Sequence, residues 1–285
     1  MMEQHSRRIA VVTDSVACIP SALVRELDIH VVPLQLTLEG KTYLDGVDIT
    51  PTEFYRRLRK SATWPTTSQP SLASLAELYK QLGQQVEGIV SIHLGGRLSS
   101  TVWSARAAAE QASPVPIRIV DSQTATAAEG FVVLAAARVA KSGGDLEEVV
   151  AAAELCRSRV GFFCALETLK YLRHGGRIGE AAALVGSRLR ICPILSIAQE
   201  QVRVAGVSRN RRRALRRILE LTAQRVGSLP IRASVCHADA LEEAEWMAQE
   251  VQERFRCVEF FISEFTPLMG AHSGPGVVGV AFCLE

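Results

Sequence analysis

The sequence has no paired cysteines. Its seven cysteines are scattered along the chain, odd in number and never spaced as C-x-x-C. A disulfide framework in a secreted protein uses an even, clustered set, and a structural zinc site uses paired ligands, so both are excluded. The six histidines show neither i,i+4 spacing nor an H-x-x-E-H pattern. No metal site is predicted.

An excess of charge and a long apolar run are also missing. Lys and Arg number 32 against 30 Asp and Glu, so the net charge of +2 gives no general reason to expect nucleic acid or a membrane as partner. The longest apolar stretch, 131–140, is interrupted by Arg138 and falls short of the ~20 residues of a membrane span. The run 9–12 after Arg7-Arg8 is too short for a signal peptide. We therefore expect a cytoplasmic protein without membrane insertion.

The composition that is present suits a folded α/β protein. The chain has 285 residues, of which 48% are hydrophobic and 22% charged, enough for about two domains of ~150 residues. Short apolar runs predict buried strands at 9–12, 31–34, 88–92, 117–120, 160–164, 231–236 and 277–282. Helical patterns lie at 21–27, 71–83, 99–111, 124–141, 146–157, 211–225 and 240–255.

The two parts of the chain differ in pattern. Strand and helix alternate through the first part, and its strands are apolar without polar alternation, which is typical of a parallel sheet covered on both faces by helices. In the second part the strand signals are sparser and mixed. We predict two α/β domains, at 1–157 and 158–285.

The sequence contains partial matches to known catalytic and nucleotide-binding motifs, but the residues around them do not fit those motifs. Gly274–Gly279 matches G-x-G-x-x-G, but a strand pattern follows it where a dinucleotide site needs a helix. The segment 40–42 resembles the end of a phosphate-binding loop and lacks the earlier glycine, and no G-x-S-x-G nucleophile motif occurs. A Ser/His/Asp set could still form in space from Ser99, His272 and Asp14.

Three loop segments place small polar groups beside predicted strands and helices, at 65–71, 95–101 and 272–276. Thr67 and Ser68 lie between two prolines that keep the chain extended. Ser99 is expected at a helix N-terminus, where free N–H groups favour a carboxylate or phosphate. His272 is expected in a tight turn. The simpler interpretations are a capped turn, an N-cap and a structural histidine.

The densest charge cluster contains six arginines and no acidic residue: Arg209, Arg211, Arg212, Arg213, Arg216 and Arg217. Three interpretations stay open: the solvated face of a helix, a surface that docks a partner or a phosphate, and a DNA-binding surface. The last has no helix-turn-helix pattern or interleaved aromatic residues to support it.

The polar segments, in this order and spacing, resemble the DegV family of fatty-acid-binding proteins. The matching pieces span nearly the whole chain: Thr13-Asp14-Ser15, Thr67-Ser68-Gln69-Pro70, Leu98-Ser99-Ser100-Thr101, Val120-Asp121-Ser122, the segment 172–178 with Gly175-Gly176-Arg177-Ile178, Pro193-Ile194-Leu195 and His272 to Gly276.

The resemblance implies an N-terminal parallel-sheet domain, a C-terminal mixed-sheet domain and one long-chain fatty acid between them. It implies that the hydroxyls of Thr67 and Ser99 hold the carboxylate, with Ser68 in the same segment and His272 near the head group. Arg177 would lie near the head group or support it. The family implies a carrier that presents the acid to a fatty acid kinase for acyl-phosphate formation, without catalysis or a cofactor of its own.

The family resemblance also favours partner docking for Arg209 and Arg211, since family members are basic there. Two departures concern the head group: Gly95-Gly96-Arg97 stands where the family usually has Ser-Ser-Gly, and Ala271 replaces a frequent Thr. The alternatives to a carrier are a small-acid or lipid transferase or hydrolase with His272 as base, and a nucleic-acid-binding regulator using the arginine cluster.

Overall fold

In the computed structural model, residues 9–112, 114–185, 191–198 and 200–285 are described, and they form three β-sheets with helices packed around them. The strands are β1 (Ile9–Asp14), β2 (Ile29–Val32), β3 (Gln35–Leu38), β4 (Lys41–Leu44), β5 (Thr66–Ser68), β6 (Gly88–His93), β7 (Ile117–Asp121), β8 (Val160–Ala165), β9 (Cys192–Ala198), β10 (Gln201–Ser208), β11 (Ile231–Ala238), β12 (Cys257–Glu264) and β13 (Val277–Leu284). The α-helices are α1 (Ser21–Leu27), α2 (Pro51–Leu58), α3 (Leu72–Gly83), α4 (Thr101–Ala112), α5 (Thr126–Lys141), α6 (Leu146–Arg157), α7 (Lys170–His174), α8 (Arg211–Val226), α9 (Leu241–Arg254) and α10 (Pro267–Ser273). Short 3-10 helices span Ser15–Ala17 and Gly179–Leu184.

The first sheet is parallel, as predicted, with strand order β2-β1-β6-β7. Every residue of the two central strands is buried, because helices pack on both faces. Ala10 and Val12 join an apolar cluster with α3 and α4, whereas Ile9 and Val11 join the cluster that contains α5. The second strand lies at 29–32 and not at the predicted 31–34, since Pro33 has no N–H for the strand ladder.

The second sheet is mixed, as the resemblance implies, with strand order β10-β9-β8-β13-β11-β12. β11 and β12 are parallel and the other pairs are antiparallel. β13 lies in the interior and is buried from Val277 to Cys283. It begins inside the G-x-G-x-x-G match, which confirms that this segment opens a strand and not the helix of a dinucleotide site.

A third, three-stranded antiparallel sheet was not predicted, and its order is β4-β3-β5. Its first two strands form a hairpin whose turn residues, Glu39 and Gly40, have φ values of 53° and 78°. Positive φ at both positions is typical of the tight turns that join adjacent antiparallel strands. The segment 40–42 is therefore a hairpin turn, and the sheet carries Thr67 on β5.

α5 is the helix that the two larger sheets share. It packs against β1 and β6 of the parallel sheet and against β8, β11 and β13 of the mixed sheet. Twelve of its sixteen residues are buried, as expected of a helix that is apolar on all sides. The apolar stretch 131–140 is thus core.

The chain leaves the region of the parallel sheet at Arg157, the last residue of α6. It enters the mixed sheet at Val160, the first residue of β8. The predicted domain boundary at 157 and 158 falls in this connection, and the division into two domains stays a prediction. Within the described ranges, no helix combines the length and apolar content needed to cross a bilayer.

Candidate functional site

A cavity enclosing about 970 Å³ of space, solvent at its mouth included, lies between the loops of the parallel sheet and the inner face of the mixed sheet. Its wall is mostly apolar: Leu34, Leu94, Leu98, Ala125, Phe162, Cys164, Leu166, Leu172, Leu195, Ile197, Val202, Phe265, Leu268, Met269 and Val277. Its polar side chains are Thr67, Ser68, Gln69, Ser99, Ser100, Thr126, Arg177, Ser196, His272 and Ser273. All five residues predicted to bind the ligand line this one cavity.

Thr67 and His272 meet across the cavity mouth. Alternation along β5 turns Thr67 inward and leaves Thr66 and Ser68 exposed. The hydroxyl of Thr67 lies 2.8 Å from Nε2 of His272, although 205 residues separate the two in the chain. Which atom donates depends on the histidine tautomer. This contact joins the small sheet to α10.

His272 lies in the last turn of α10, so its prediction in a tight turn was wrong. Thr266 caps this short helix through its hydroxyl and Pro267 occupies its first turn, a combination that fixes a helix start. Gly175 packs against the imidazole so closely that a Cβ there would lie 2.3 Å from Nδ1. Burial, aided by the positive charge of Arg177, lowers the pKa of His272 to about 4. The ring is therefore neutral at neutral pH.

Ser99 lies at the N-terminus of α4, as predicted, although the helix itself begins two residues later, at Thr101. Its Oγ accepts a hydrogen bond from the Thr101 amide at 3.3 Å and lies 2.9 Å from the Thr101 hydroxyl. The loop is tied down where the amide of Gly96 donates to Asp121 at 3.1 Å. A Cβ on Gly96 would lie 2.8 Å from that carboxylate oxygen, so glycine allows the loop to approach Asp121 this closely.

Arg177 braces two loops of the site. Its Nε donates to the carbonyl of Leu98 at 3.0 Å and its Nη1 donates to the carbonyl of Gly175 at 2.7 Å. The first bond fixes the residue next to Ser99, and the second fixes the glycine that packs on His272. The guanidinium therefore supports the loops that contain Leu98 and Gly175, and it also lines the cavity.

Ser68 follows Thr67 at the edge of the cavity. Its hydroxyl donates to Oε1 of Gln35 on the neighbouring strand at 3.2 Å, and the residue is exposed. The hydroxyl of Ser68 thus has a protein partner, whereas Thr67 points inward.

The arginine cluster opens α8, and none of its arginines lines the cavity. Arg209 is exposed, but Arg211 is held inside the fold: its guanidinium donates to Glu243 on α9 at 2.7 Å and to the Ala165 carbonyl at the end of β8 at 3.1 Å. These contacts give Arg211 a structural role and do not support its predicted docking role. Partner docking by this cluster stays a prediction, and of the two residues predicted to dock a partner only Arg209 is exposed.

The structure does not assemble the Ser99–His272–Asp14 set. The carboxylate of Asp14 accepts from Nδ1 of His93 at 3.0 Å and from two backbone amides. Among the described residues, Nδ1 of His272 has no hydrogen-bond partner, so nothing orients that ring as in a catalytic triad. That hypothesis was wrong.

Sequence reasoning missed two polar features. The first is a fully buried chain of hydrogen bonds from Tyr79 through Ser91 and His93 to Asp14, with 2.8, 2.8 and 3.0 Å between the successive polar atoms. Alternation of Ser91 and His93 on one strand is the signal that could have found it. The second is Thr126, a cavity residue with a φ of 65°. A sequence gives no signal for such a backbone angle in threonine.

Over the ranges that the structure describes, no group of three or more His, Cys, Asp or Glu side chains is placed to hold a metal ion. The polar side chains of the cavity carry hydroxyls, one amide, a neutral imidazole and a guanidinium. Such groups suit a single carboxylate, which accepts hydrogen bonds and needs a few oriented donors.

The fold and site define an α/β protein whose described strands form three sheets, with an apolar cavity that has a polar mouth. A family model described as "Uncharacterised protein, DegV family" matches residues 8–285. The chain belongs to the DegV family.

Similar proteins cover almost the whole chain. A DegV domain-containing protein of Streptomyces coelicolor is 36% identical over 277 residues, which are 96% of this chain and 98% of that protein. The solved structure of a DegV family protein from Thermus thermophilus, described by its fatty acid binding, has a TM-score of 0.92 and 34% identity over 98% of this chain and 100% of that one. DegV of Bacillus subtilis, described as a fatty acid binding protein, has a TM-score of 0.90 and 34% identity over the same shares.

Proposed function

We propose that this protein binds one long-chain fatty acid, with its acyl chain in the cavity and its carboxylate at the hydroxyls of Thr67 and Ser99. The observation that carries the proposal is the cavity itself, an apolar space whose mouth brings Thr67 within 2.8 Å of His272. The fatty acid binding described for the relatives from Thermus thermophilus and Bacillus subtilis supports the same ligand class.

The apolar wall supplies the affinity for the acyl chain. Each methylene group moved from water into such an environment contributes about 0.8 kcal/mol. The side chains of Phe162, Leu195 and Leu268 illustrate the wall, since all three line the cavity and are buried. A long unbranched chain gains more from this wall than a short acid does.

The mouth holds the carboxylate by hydrogen bonds and not by a full ion pair. His272 is neutral because burial lowers its pKa to about 4, and Arg177 directs two of its donors to carbonyl groups. In this arrangement His272 orients the hydroxyl of Thr67, and Arg177 holds the loop that carries Ser99. A carboxylate held in this way keeps an oxygen available to a phosphoryl donor.

We further propose that the protein is a cytoplasmic carrier that presents the bound acid to a fatty acid kinase. The kinase would transfer a phosphoryl group to a carboxylate oxygen and form the acyl phosphate, so the carrier needs no catalytic group or cofactor. The alternative, a transferase or hydrolase with His272 as base, is disfavoured because a histidine with a pKa of about 4 is a weak base at neutral pH.

The double variant Thr67→Ala with Ser99→Ala tests the head-group site. It removes both proposed hydroxyl contacts, so we expect palmitate affinity to fall by about tenfold or more while the melting temperature changes little. Isothermal titration with delipidated protein measures the affinity. The matched control removes hydroxyls outside the cavity, with Thr42→Ala and Ser74→Ala, and should bind as the wild type does. Equal affinity in the two double variants would show that the carboxylate lies elsewhere.

Charge reversal at Arg209 tests partner docking. Arg209→Glu leaves the cavity untouched, so we expect unchanged palmitate affinity and slower acyl-phosphate formation by a bacterial fatty acid kinase at limiting carrier concentration. Arg25→Glu changes an exposed arginine on α1 and serves as the control. Equal phosphorylation rates for the two variants would refute docking at this surface.

A further inference from the structure

Thr126 carries a polar group that the fold leaves unused. It is the first residue of α5, it lines the cavity and it is 0% exposed. Among the residues that the structure describes, its hydroxyl has no hydrogen-bond partner. A buried hydroxyl without a partner is unfavourable, so a hydrogen-bonding group supplied by a ligand would remove that cost.

The backbone at Thr126 is strained. Its φ of 65° lies in the left-handed region, which β-branched residues rarely adopt because of steric conflict with the backbone. Strain of this kind persists where the surroundings impose it, and it clusters at ligand-binding positions. The strain and the unpartnered hydroxyl are separate observations on one residue.

Thr126 lies next to the loop that carries Ser99. The amide of Gly95 in that loop donates to the carbonyl of Thr124 at 2.8 Å. Thr126 begins a helix of sixteen residues whose N-cap, Ala125, provides no side-chain hydrogen bond. The positive end of the helix dipole favours an anion at such an uncapped start.

The acidic residue in this first turn does not oppose an anion. Glu129 is fully buried, and burial, together with the nearby Asp14, raises its pKa well above the usual value. Burial thus favours the uncharged form of Glu129, which opposes an anion at the start of α5 less than a carboxylate would.

We propose that Thr126 is a third hydroxyl contact of the bound carboxylate, beside Thr67 and Ser99, and that the N-terminus of α5 faces this carboxylate. The inference rests on the proposed fatty acid binding and adds a residue and a helix to its head-group site. In this arrangement the N-terminus of α5 compensates the negative charge of the carboxylate, and Arg177 holds the loops through its bonds to the carbonyls of Leu98 and Gly175.

Thr126→Val tests the inference because it keeps the size and β-branching of threonine and removes the hydroxyl. We expect palmitate affinity to fall by about tenfold, and Thr126→Ser, which restores the hydroxyl, to bind within about threefold of the wild type. Thr126→Ala provides a second hydroxyl-free variant. Thr222→Val is the matched control, since Thr222 on α8 is also fully buried with an unpartnered hydroxyl but does not line the cavity.

Methyl palmitate separates a head-group contact from a packing effect. If Thr126 contacts the charged carboxylate, Thr126→Val weakens palmitate binding clearly more than methyl palmitate binding, because a neutral ester carbonyl accepts a weaker hydrogen bond. Equal losses for the acid and the ester, or unchanged palmitate affinity in both hydroxyl-free variants, would overturn the inference. Absence of palmitate binding in the wild type would instead overturn the proposed function.

Discussion

Burial decides the protonation state of His272, and the consequence is measurable. Its pKa falls from 6.5 to about 4 because the ring loses hydration and faces Arg177. As pH falls from 7.5 to 5, the unfolded chain takes up a proton at this residue and the folded protein does not. Stability therefore decreases over this range, by about 2 kcal/mol from this group.

His272→Gln removes this titration and keeps a polar atom near Thr67. Between pH 7.5 and 5, the free energy of unfolding should decrease in both proteins, and we expect the decrease to be about 2 kcal/mol smaller in the variant than in the wild type. Urea unfolding of delipidated protein at the two pH values measures both losses. Other buried groups, such as His237, titrate in both proteins and cancel in the comparison. The same pH dependence in both proteins would mean that His272 is protonated in the folded state.

At the scale of elements, Gly270 sets how closely α10 packs on α2. A Cβ on this residue would lie 2.6 Å from the hydroxyl of Tyr55 and 2.7 Å from a ring carbon of Phe54. Both aromatic rings are fully buried, so neither can move away easily. The helix that carries His272 therefore depends on glycine at this contact.

Gly270→Ala is expected to push α10 away from α2, cost about 1–3 kcal/mol of stability and weaken palmitate binding, because His272 moves with the helix. Gly206→Ala is the control, since the nearest atom to its Cβ would lie 3.6 Å away, at ordinary contact distance. Thermal unfolding and titration with palmitate measure both effects. A Gly270→Ala protein with wild-type stability and affinity would contradict the packing argument.

Elements with continuous apolar runs were predictable, whereas several partly exposed strands were not, among them the eight-residue strands β10 and β12. α1 and α6 have the predicted bounds, and β1 and β13 were found because continuous apolar runs signal buried strands. The small sheet was missed because its strands are only 3–4 residues long and half exposed. A short polar strand has no periodicity that distinguishes it from a loop.

The site was predictable as a set of residues and not as a geometry. Family motifs select Thr67, Ser99, Arg177 and His272, and all of them line the cavity. Their contacts depend on how the sheets pack: Thr67 meets His272 only because the small sheet lies over α10. The internal pairing of Arg211 is likewise set by the position of α9.

At the scale of the whole molecule, the cavity belongs to neither sheet alone. Leu94 follows a strand of the parallel sheet, Leu195 lies on the mixed sheet, and both line the same wall. A ligand in this space contacts both parts of the chain at once. Its binding free energy therefore adds to the stability of the assembled fold and is lost when the parts separate.

This coupling predicts that a bound fatty acid stabilises the folded protein, and that the stabilisation depends on the length of the acyl chain. Palmitate at about a hundredfold excess over its dissociation constant should stabilise the folded protein by about 2.7 kcal/mol and raise the melting temperature by about 5 °C. Octanoate has the same head group and eight fewer methylene groups, and each methylene group contributes about 0.8 kcal/mol on burial. Octanoate should therefore bind much more weakly, and at the same concentration it should leave the melting temperature unchanged. Thermal unfolding of delipidated protein with each acid tests this. Equal stabilisation by both acids would place the binding energy in the head group, and the small-acid alternative would then replace the fatty acid carrier.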